Sequence, residues 1–178
     1  FDELTSEMKQ YYYTIEHCSS DWTPSEITFT EYADGYMENP IYNFKYSIST
    51  HFKYIHYSFS FPHDQLRLRY SGNYVLKVYE EHDPEKLIFI RKFYVVESRA
   101  KFNINVNRPV QGNMFNAGHQ IDFSYFHEAE NLVDPQRELR VIISQNFSFH
   151  NAVYDLPPVH ISGNTMDYTL QKGNTFLA

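Results

Sequence analysis

Nine histidines, a single cysteine and a knot of acids are the side chains through which this chain could do chemistry. The histidines stand at His17, His51, His56, His63, His82, His119, His127, His150 and His160. Zinc-type sites ask for ligands at helical spacing, as in HExxH, or in Cys-x-x-Cys pairs, and neither pattern occurs. On a strand, two ligands share a face only at even separation, which His51 and His56 do not have. Solvated or hydrogen-bonded imidazoles are the expectation. Cys18 follows His17 directly, so a strand turns the two to opposite faces; a thiol and its base need to touch. Cys18 reads as a small apolar packing residue. Glu80, Glu81, Asp83 and Glu85 could offer oxygens to calcium. They lack the spacing of a calcium loop and have Lys86 beside them, so a solvated turn is expected. Asp21 and Trp22 pair a carboxylate with an indole face, the chemistry of a sugar-stacking site; the competing reading makes Trp22 a seal at one end of a sandwich. Asn146-Phe147-Ser148 matches a glycosylation sequon, which matters only in a eukaryotic secretory pathway. The six glycines are scattered singly and form no phosphate loop. No catalytic residue, cofactor or metal is expected, and the chain is read as a non-enzyme.

The elements that must position these residues are strands. Sixteen Tyr, fifteen Phe and one Trp make 18% of the 178 residues aromatic. Tyr and Phe fit pleated, half-buried surfaces, and Tyr can pack its ring while its hydroxyl stays wet. A chain of this length buries roughly 70% of the surface its unfolded form exposes, so it folds without disulfide or metal staples. Its net charge of −7 repels a polyanion, and no Lys/Arg run could neutralise successive phosphates, so nucleic acid is excluded as a partner. No apolar stretch approaches the roughly 20 residues of a membrane helix. The chain starts at Phe1 rather than Met, which reads as a trimmed mature protein or an excised chain; any signal peptide would lie upstream.

Tyr11, Tyr13 and Ile15 alternate with Tyr12, Thr14 and Glu16, the period of a strand. Thr23-Pro24-Ser25-Glu26 carries a capping-box pattern and predicts one helical turn inside a long connection to Asn39-Pro40. Tyr42, Phe44, Tyr46 and Ile48 fall on one face, and Tyr57, Phe59 and Phe61 on another, so both stretches predict half-buried strands; Pro62 ends the second. Ser71-Gly72-Asn73 signals a turn. Tyr74 to Tyr79 and Leu87 to Val96 then read as a hairpin linked through Asp83-Pro84.

Glu97-Ser98-Arg99 marks the boundary, after which alternation restarts. Phe102, Ile104 and Val106 oppose Lys101, Asn103, Asn105 and Asn107; Arg108 to Asn113 breaks the run. Ile121, Phe123 and Tyr125 form another strand. Asp134-Pro135 turns into a strand from Glu138 to Gln145, and Val159 to Ile161 and Met166 to Leu170 close the module. The second half has fewer clear strands and stops at Ala178, an end that reads as cut from something longer. Nowhere does a helical hydrophobic period run for ten residues, which excludes crossover helices and parallel sheets. The predicted fold is all-β: two tandem antiparallel immunoglobulin-like β-sandwich domains, 1–97 and 98–178, the second truncated on this reading.

The run Tyr11-Tyr12-Tyr13-Thr14-Ile15-Glu16-His17-Cys18-Ser19-Ser20-Asp21-Trp22-Thr23-Pro24-Ser25-Glu26 resembles the opening signature of the type IX secretion system plug protein family of Bacteroidetes. The likeness continues in Glu31 to Tyr36, in His56-Tyr57-Ser58 and in Phe61-Pro62. It is strongest in Ser71-Gly72-Asn73-Tyr74-Val75-Leu76-Lys77-Val78-Tyr79. Arg91-Lys92-Phe93 and Val95-Val96-Glu97 follow. Arg108-Pro109, Gln120-Ile121-Asp122-Phe123, Asn146, Gly163-Asn164 and Asp167-Tyr168 carry it into the second module. The resemblance implies the N-terminal portion of a longer exported protein, peripheral to the outer membrane on its periplasmic side. That protein would close the translocon barrel when export is idle. It implies no catalytic residues. Plugging is an interface task, and the expected contact surface is the wet face carrying Tyr12, Tyr79 and Tyr94. The alternative is a surface or periplasmic glycan-binding sandwich centred on Trp22 and Asp21.

Overall fold

A computed structural model describes residues 1–97, 100–109, 118–127, 134–146, 148–169 and 175–177. The chain divides into two compact units, Phe1–Glu97 and Ser98–Ala178. Every strand pair among the described residues is antiparallel, and the two helices are single turns of four residues each. The fold is all-β and sandwich-like.

In the first unit the chain runs through β1 (Asp2–Glu3), β2 (Tyr11–Cys18), α1 (Phe29–Tyr32), β3 (Ala33–Gly35), β4 (Asn39–Pro40) and β5 (Asn43–Tyr46). It continues through β6 (Ile55–Ser58), β7 (Leu66–Leu68), β8 (Gly72–Glu80) and β9 (Leu87–Val95). One sheet has the order β4-β2-β8-β9; facing elements come from a β1-β6-β5 sheet and a β3-β7 pair. The alternation of β2 and β8 decides what lies between them. Tyr11, Tyr13 and Ile15 from β2 and Tyr74, Leu76 and Val78 from β8 point inward and meet Tyr32, Ile55, Tyr57 and Leu66. Phe1 stacks on Tyr57 at 5.2 Å and meets Tyr11 edge-on at the same distance.

A core built from tyrosines has hydroxyls to satisfy, because an unpaired buried hydroxyl costs about 1–3 kcal/mol. That of Tyr11 is buried without a hydrogen-bond partner among the described residues, whereas the others described next are paired. Tyr32 donates to the Ile15 carbonyl (3.1 Å), Tyr57 to that of Lys9 (3.0 Å) and Tyr74 to that of Tyr70 (2.8 Å). Tyr13 meets His63 Nε2 at 2.7 Å. Because the Gln65 N–H donates to Nδ1 of the same ring, the neutral imidazole carries its proton on Nε2 and donates it to Tyr13.

Several expectations are corrected here. The helical turn is not at Thr23–Glu26 but at Phe29–Tyr32, where the Glu31 carboxylate accepts from the Thr28 N–H (2.7 Å) and hydroxyl (2.6 Å). Thr23 is already claimed: its N–H and hydroxyl both donate to Asp21 Oδ1, at 3.1 and 2.7 Å. The stripe Tyr42, Phe44, Tyr46 and Ile48 does not line the core. Only Phe44 packs against it, since β5 is a short edge strand with nothing over its other positions. Gly72 and Asn73 are the first residues of β8 rather than a turn. Gly72 has φ +147°, and a Cβ there would sit 2.6 Å from His17 Nε2, so both the backbone and the buried imidazole require glycine.

In the second unit, β10 (Ala100–Asn107) pairs with β11 (Gly118–His127), α2 spans Pro135–Glu138, and β12 (Ile142–Gln145) pairs with β13 (Ser148–Tyr154). Then come β14 (His160–Ser162), β15 (Thr165–Asp167) and β16 (Thr175–Leu177). The main sheet has the order β10-β11-β15-β14, with β16 also on β11; β12-β13 forms a second, two-stranded layer. Phe123 stacks on Tyr168 at 4.5 Å, and with Leu156 and Met166 these make a small core against Val141, Ile143 and Val153. The expected strand from Glu138 begins only at Ile142, because Pro135 at the first helical position turns residues 135–138 into α2. The strand expected over Met166–Leu170 stops at Asp167, and Ser98 and Arg99 of the expected boundary lie outside the described residues.

Candidate contact surface

Strands β2, β8 and β9 set the outer face of the first unit's larger sheet by register. Tyr12 lies opposite Tyr79, Glu16 opposite Val75 and Cys18 opposite Asn73, while Val75 faces Lys92 and Asn73 faces Tyr94. These residues alternate with the inward ones, and of them Tyr12, Tyr79 and Tyr94 were expected to be wet. The segment after β2 changes that at one end. It folds back over the face through a Cys18–Pro24 bridge and the Ser25 N–H to His17 carbonyl bond (3.0 Å), and Asn73 Nδ2 donates to the Ser19 carbonyl (3.0 Å). Cys18, though on the outer parity, is therefore buried, and burial pushes its thiol pKa up, away from thiolate chemistry. His17 directs Nδ1 at Ser25 Oγ (2.7 Å). The pair makes no nucleophile.

Trp22 crowns this fold-back at φ 69°. Its ring is half-buried, meets Tyr94 edge-on at 5.2 Å and carries the Lys92 ammonium 4.7 Å from a ring centroid. Asp21 spends one carboxylate oxygen on Thr23. Trp22 thus lies against the sheet's outer face beside Tyr94 and the Lys92 ammonium.

Of the three tyrosines expected on the surface, Tyr94 is 46% exposed. Tyr12 is half-buried, its ring 3.6 Å from that of His82. Tyr79 is corrected to the interior: it is 3% exposed and its hydroxyl donates to Glu38 Oε2 at 2.8 Å. The strand period put Tyr79 on the outer parity, but Glu38, next to β4 on the flank of β2, reaches it. Burial first, then the Glu38 hydrogen bond, raise the Tyr79 pKa. Glu38 also accepts from His82, which ties the hairpin link to the same carboxylate.

Several of the other chemistry-bearing groups are engaged in structure. Glu81 pairs with Lys86, Glu80 with Lys9 (3.3 Å), and Asp83 Oδ1 accepts the Glu85 N–H (3.1 Å), so the acidic link is a hydrogen-bonded turn. His56 meets Asp2 at 2.6 Å. Among the described residues no group of three His, Cys, Asp or Glu could hold a metal ion. Phe147 of the sequon lies outside the described residues. One polar cluster went unread in the sequence: Asp122 in β11 is buried and accepts from Asn107 Nδ2 (3.1 Å) and Gln120 Nε2 (2.8 Å). Its only signal was a carboxylate inside an alternating strand.

Among the described residues no helix is long and apolar enough to cross a membrane. The comparison with curated proteins gives no match. The chain is similar to a hypothetical protein from Parabacteroides merdae ATCC 43184 known from a crystal structure, with a TM-score of 0.92 and 32% identity. The similarity covers 99% of this chain and 45% of that one, so this chain spans less than half of that relative's length. A family model described as the type 9 secretion system plug protein 1st domain matches residues 1–97. With that match over more than half its length, the chain, an antiparallel β-sheet protein, belongs to the type 9 secretion system plug protein family.

Proposed function

We propose that this chain contributes to a plug that closes an outer-membrane secretion translocon from the periplasmic side. On this reading it acts as two tandem immunoglobulin-like β-sandwich domains divided between residues 97 and 98. The observation that carries the reading is the family match over residues 1–97. The physical support is a rigid first unit whose core is aromatic and hydrogen-bonded, with exposed aromatic surface left over. A plug needs stiffness and contact area, and no reaction.

The contact we assign runs over Tyr94, Trp22 and Tyr12. Tyr and Trp side chains give contact area at small entropic cost, and truncating a central aromatic anchor typically costs more than tenfold in affinity. The Tyr12→Ser/Tyr94→Ser double variant is therefore expected to bind the isolated translocon barrel about tenfold or more weakly than the parent. Unchanged affinity with an unchanged melting curve would remove these residues from the interface. The glycan reading finds less support. Lys92 occupies one approach to the indole and Asp21 spends one carboxylate oxygen on Thr23, so part of what a sugar would use is already engaged.

A further inference from the structure

The link between β5 and β6 is the part of the first unit least like the rest of the chain. It runs from Ser47 to Tyr54, closed by the Ser47 N–H to the Tyr54 carbonyl (2.9 Å) and the Tyr54 N–H to Ser47 Oγ (3.0 Å). Inside it the Thr50 hydroxyl donates to the Phe52 carbonyl (2.8 Å), so the loop is hydrogen-bonded rather than loose. From this tip Ile48 and Phe52 project 86% and 81% exposed. Leu4, one residue beyond the Glu3–Ile55 pair and so at the same end of the sheet, is 81% exposed. Tyr46, on the strand leading to the tip, is exposed as well, as is Tyr42 just before that strand.

Charge sets this hairpin apart too. In a chain of net charge −7, no carboxylate occurs between Glu38 and Asp64. Lys45 and Lys53 flank the tip, both exposed. The acids of the neighbouring strand are already paired, Asp2 with His56 and Glu3 with Lys9. The result is a convex point of branched and aromatic side chains, collared by two ammonium groups and by tyrosines.

We propose that this hairpin tip is a membrane-contact site that inserts Ile48 and Phe52 into the interfacial layer of an anionic lipid surface. A convex apolar tip has no groove to receive a partner's anchor, whereas a lipid interface accepts it without shape complementarity. Tyrosines at headgroup depth and lysines reaching outward to phosphates match the collar. The proposal does not rest on the plug reading, and it uses residues distinct from Tyr12 and Tyr94.

The test is co-sedimentation of the full chain with phosphatidylcholine vesicles that contain or lack phosphatidylglycerol. Binding to the anionic vesicles is expected, weakening as salt screens the collar. Ile48→Ser/Phe52→Ser should lower the partition coefficient about tenfold, and Lys45→Glu/Lys53→Glu roughly as much. The Tyr12→Ser/Tyr94→Ser variant should bind vesicles as the parent does, which separates this test from that of the plug. All these side chains are exposed, so unchanged melting curves are expected. No co-sedimentation, equal binding to uncharged vesicles, or insensitivity to both tip variants would each overturn the proposal. So would tip variants that weaken capture by the isolated barrel while vesicle binding is absent, because the tip would then be a protein contact.

Discussion

Tyr74 and Val78 on β8 disappear beneath a facing layer, whereas Phe102, Ile104 and Val106 on β10 alternate just as regularly and stay 56%, 56% and 61% exposed. The pairing makes the contrast sharper. Phe102, Ile104 and Val106 lie opposite Tyr125, Phe123 and Ile121, so they share the face on which Phe123 is buried. The second layer, β12-β13, covers the β11 side of that face and leaves an open cleft of about 470 Å³ beside β10. In the first unit two groups of strands, β1-β6-β5 and β3-β7, supply the facing layer to a four-stranded sheet. Alternation says which side chains share a face; whether that face is dry depends on how many strands lie over it.

Alkali is expected to act on the two units most unequally. Burial pushes the phenols of Tyr13 and Tyr74 up to about 12. It raises Tyr11 as well, with Glu3 adding to the effect. Unfolded phenols ionise near pH 10. Between about pH 10 and 12 the folded first unit therefore holds protons the unfolded chain has lost, and stability falls as pH rises through that window; below pH 10 it is fully present. Phenolate absorbance should appear together with loss of the circular dichroism signal. Full ionisation with structure intact would break the picture of a sealed tyrosine core.

Tyr74→Ala comes next, at about 3–5 kcal/mol of destabilisation in urea. It removes a ring that meets His17 edge-on and stacks on Phe93, and it leaves the Tyr70 carbonyl unpaired. A cost below 1 kcal/mol would mean that the first unit is as loosely covered as the β10 face. Gly72→Ala should cost about 2–3 kcal/mol, and adding His17→Ala should recover only the steric part of that, since the strained φ remains. Full recovery would show that the backbone conformation carries no cost. The smallest effect is expected at Ile104→Ser, within about 0.5 kcal/mol of the parent. A loss above 2 kcal/mol there would show that something covers β10 after all.

Much of this was legible by period. Tyr11, Tyr13 and Ile15 were assigned one face, and the core contains all three. The β8–β9 hairpin was read from two alternating runs and a polar link. Short strands without alternation were missed: β3, β4 and β7 have two or three residues each and form only because long strands already stand beside them. The capping box was read five residues early, because Thr23 and Thr28 carry the same local grammar and only the Asp21 turn distinguishes them. At the surface, Tyr94 was placed correctly and Tyr79 was not, for want of any sequence signal that Glu38 would reach it.

By itself the sequence determined the all-β class, the shared face of Tyr11, Tyr13 and Ile15, and the family signature around Tyr11–Glu26 and Ser71–Tyr79. These are local or period-two properties, written in side-chain type and spacing. Tertiary structure alone decided that Tyr79 is dry, that Ile48 and Phe52 are bare, and that β10 keeps an apolar face in water. Burial is a relation between elements far apart in the chain, and a strand's own residues do not say what will lie above it.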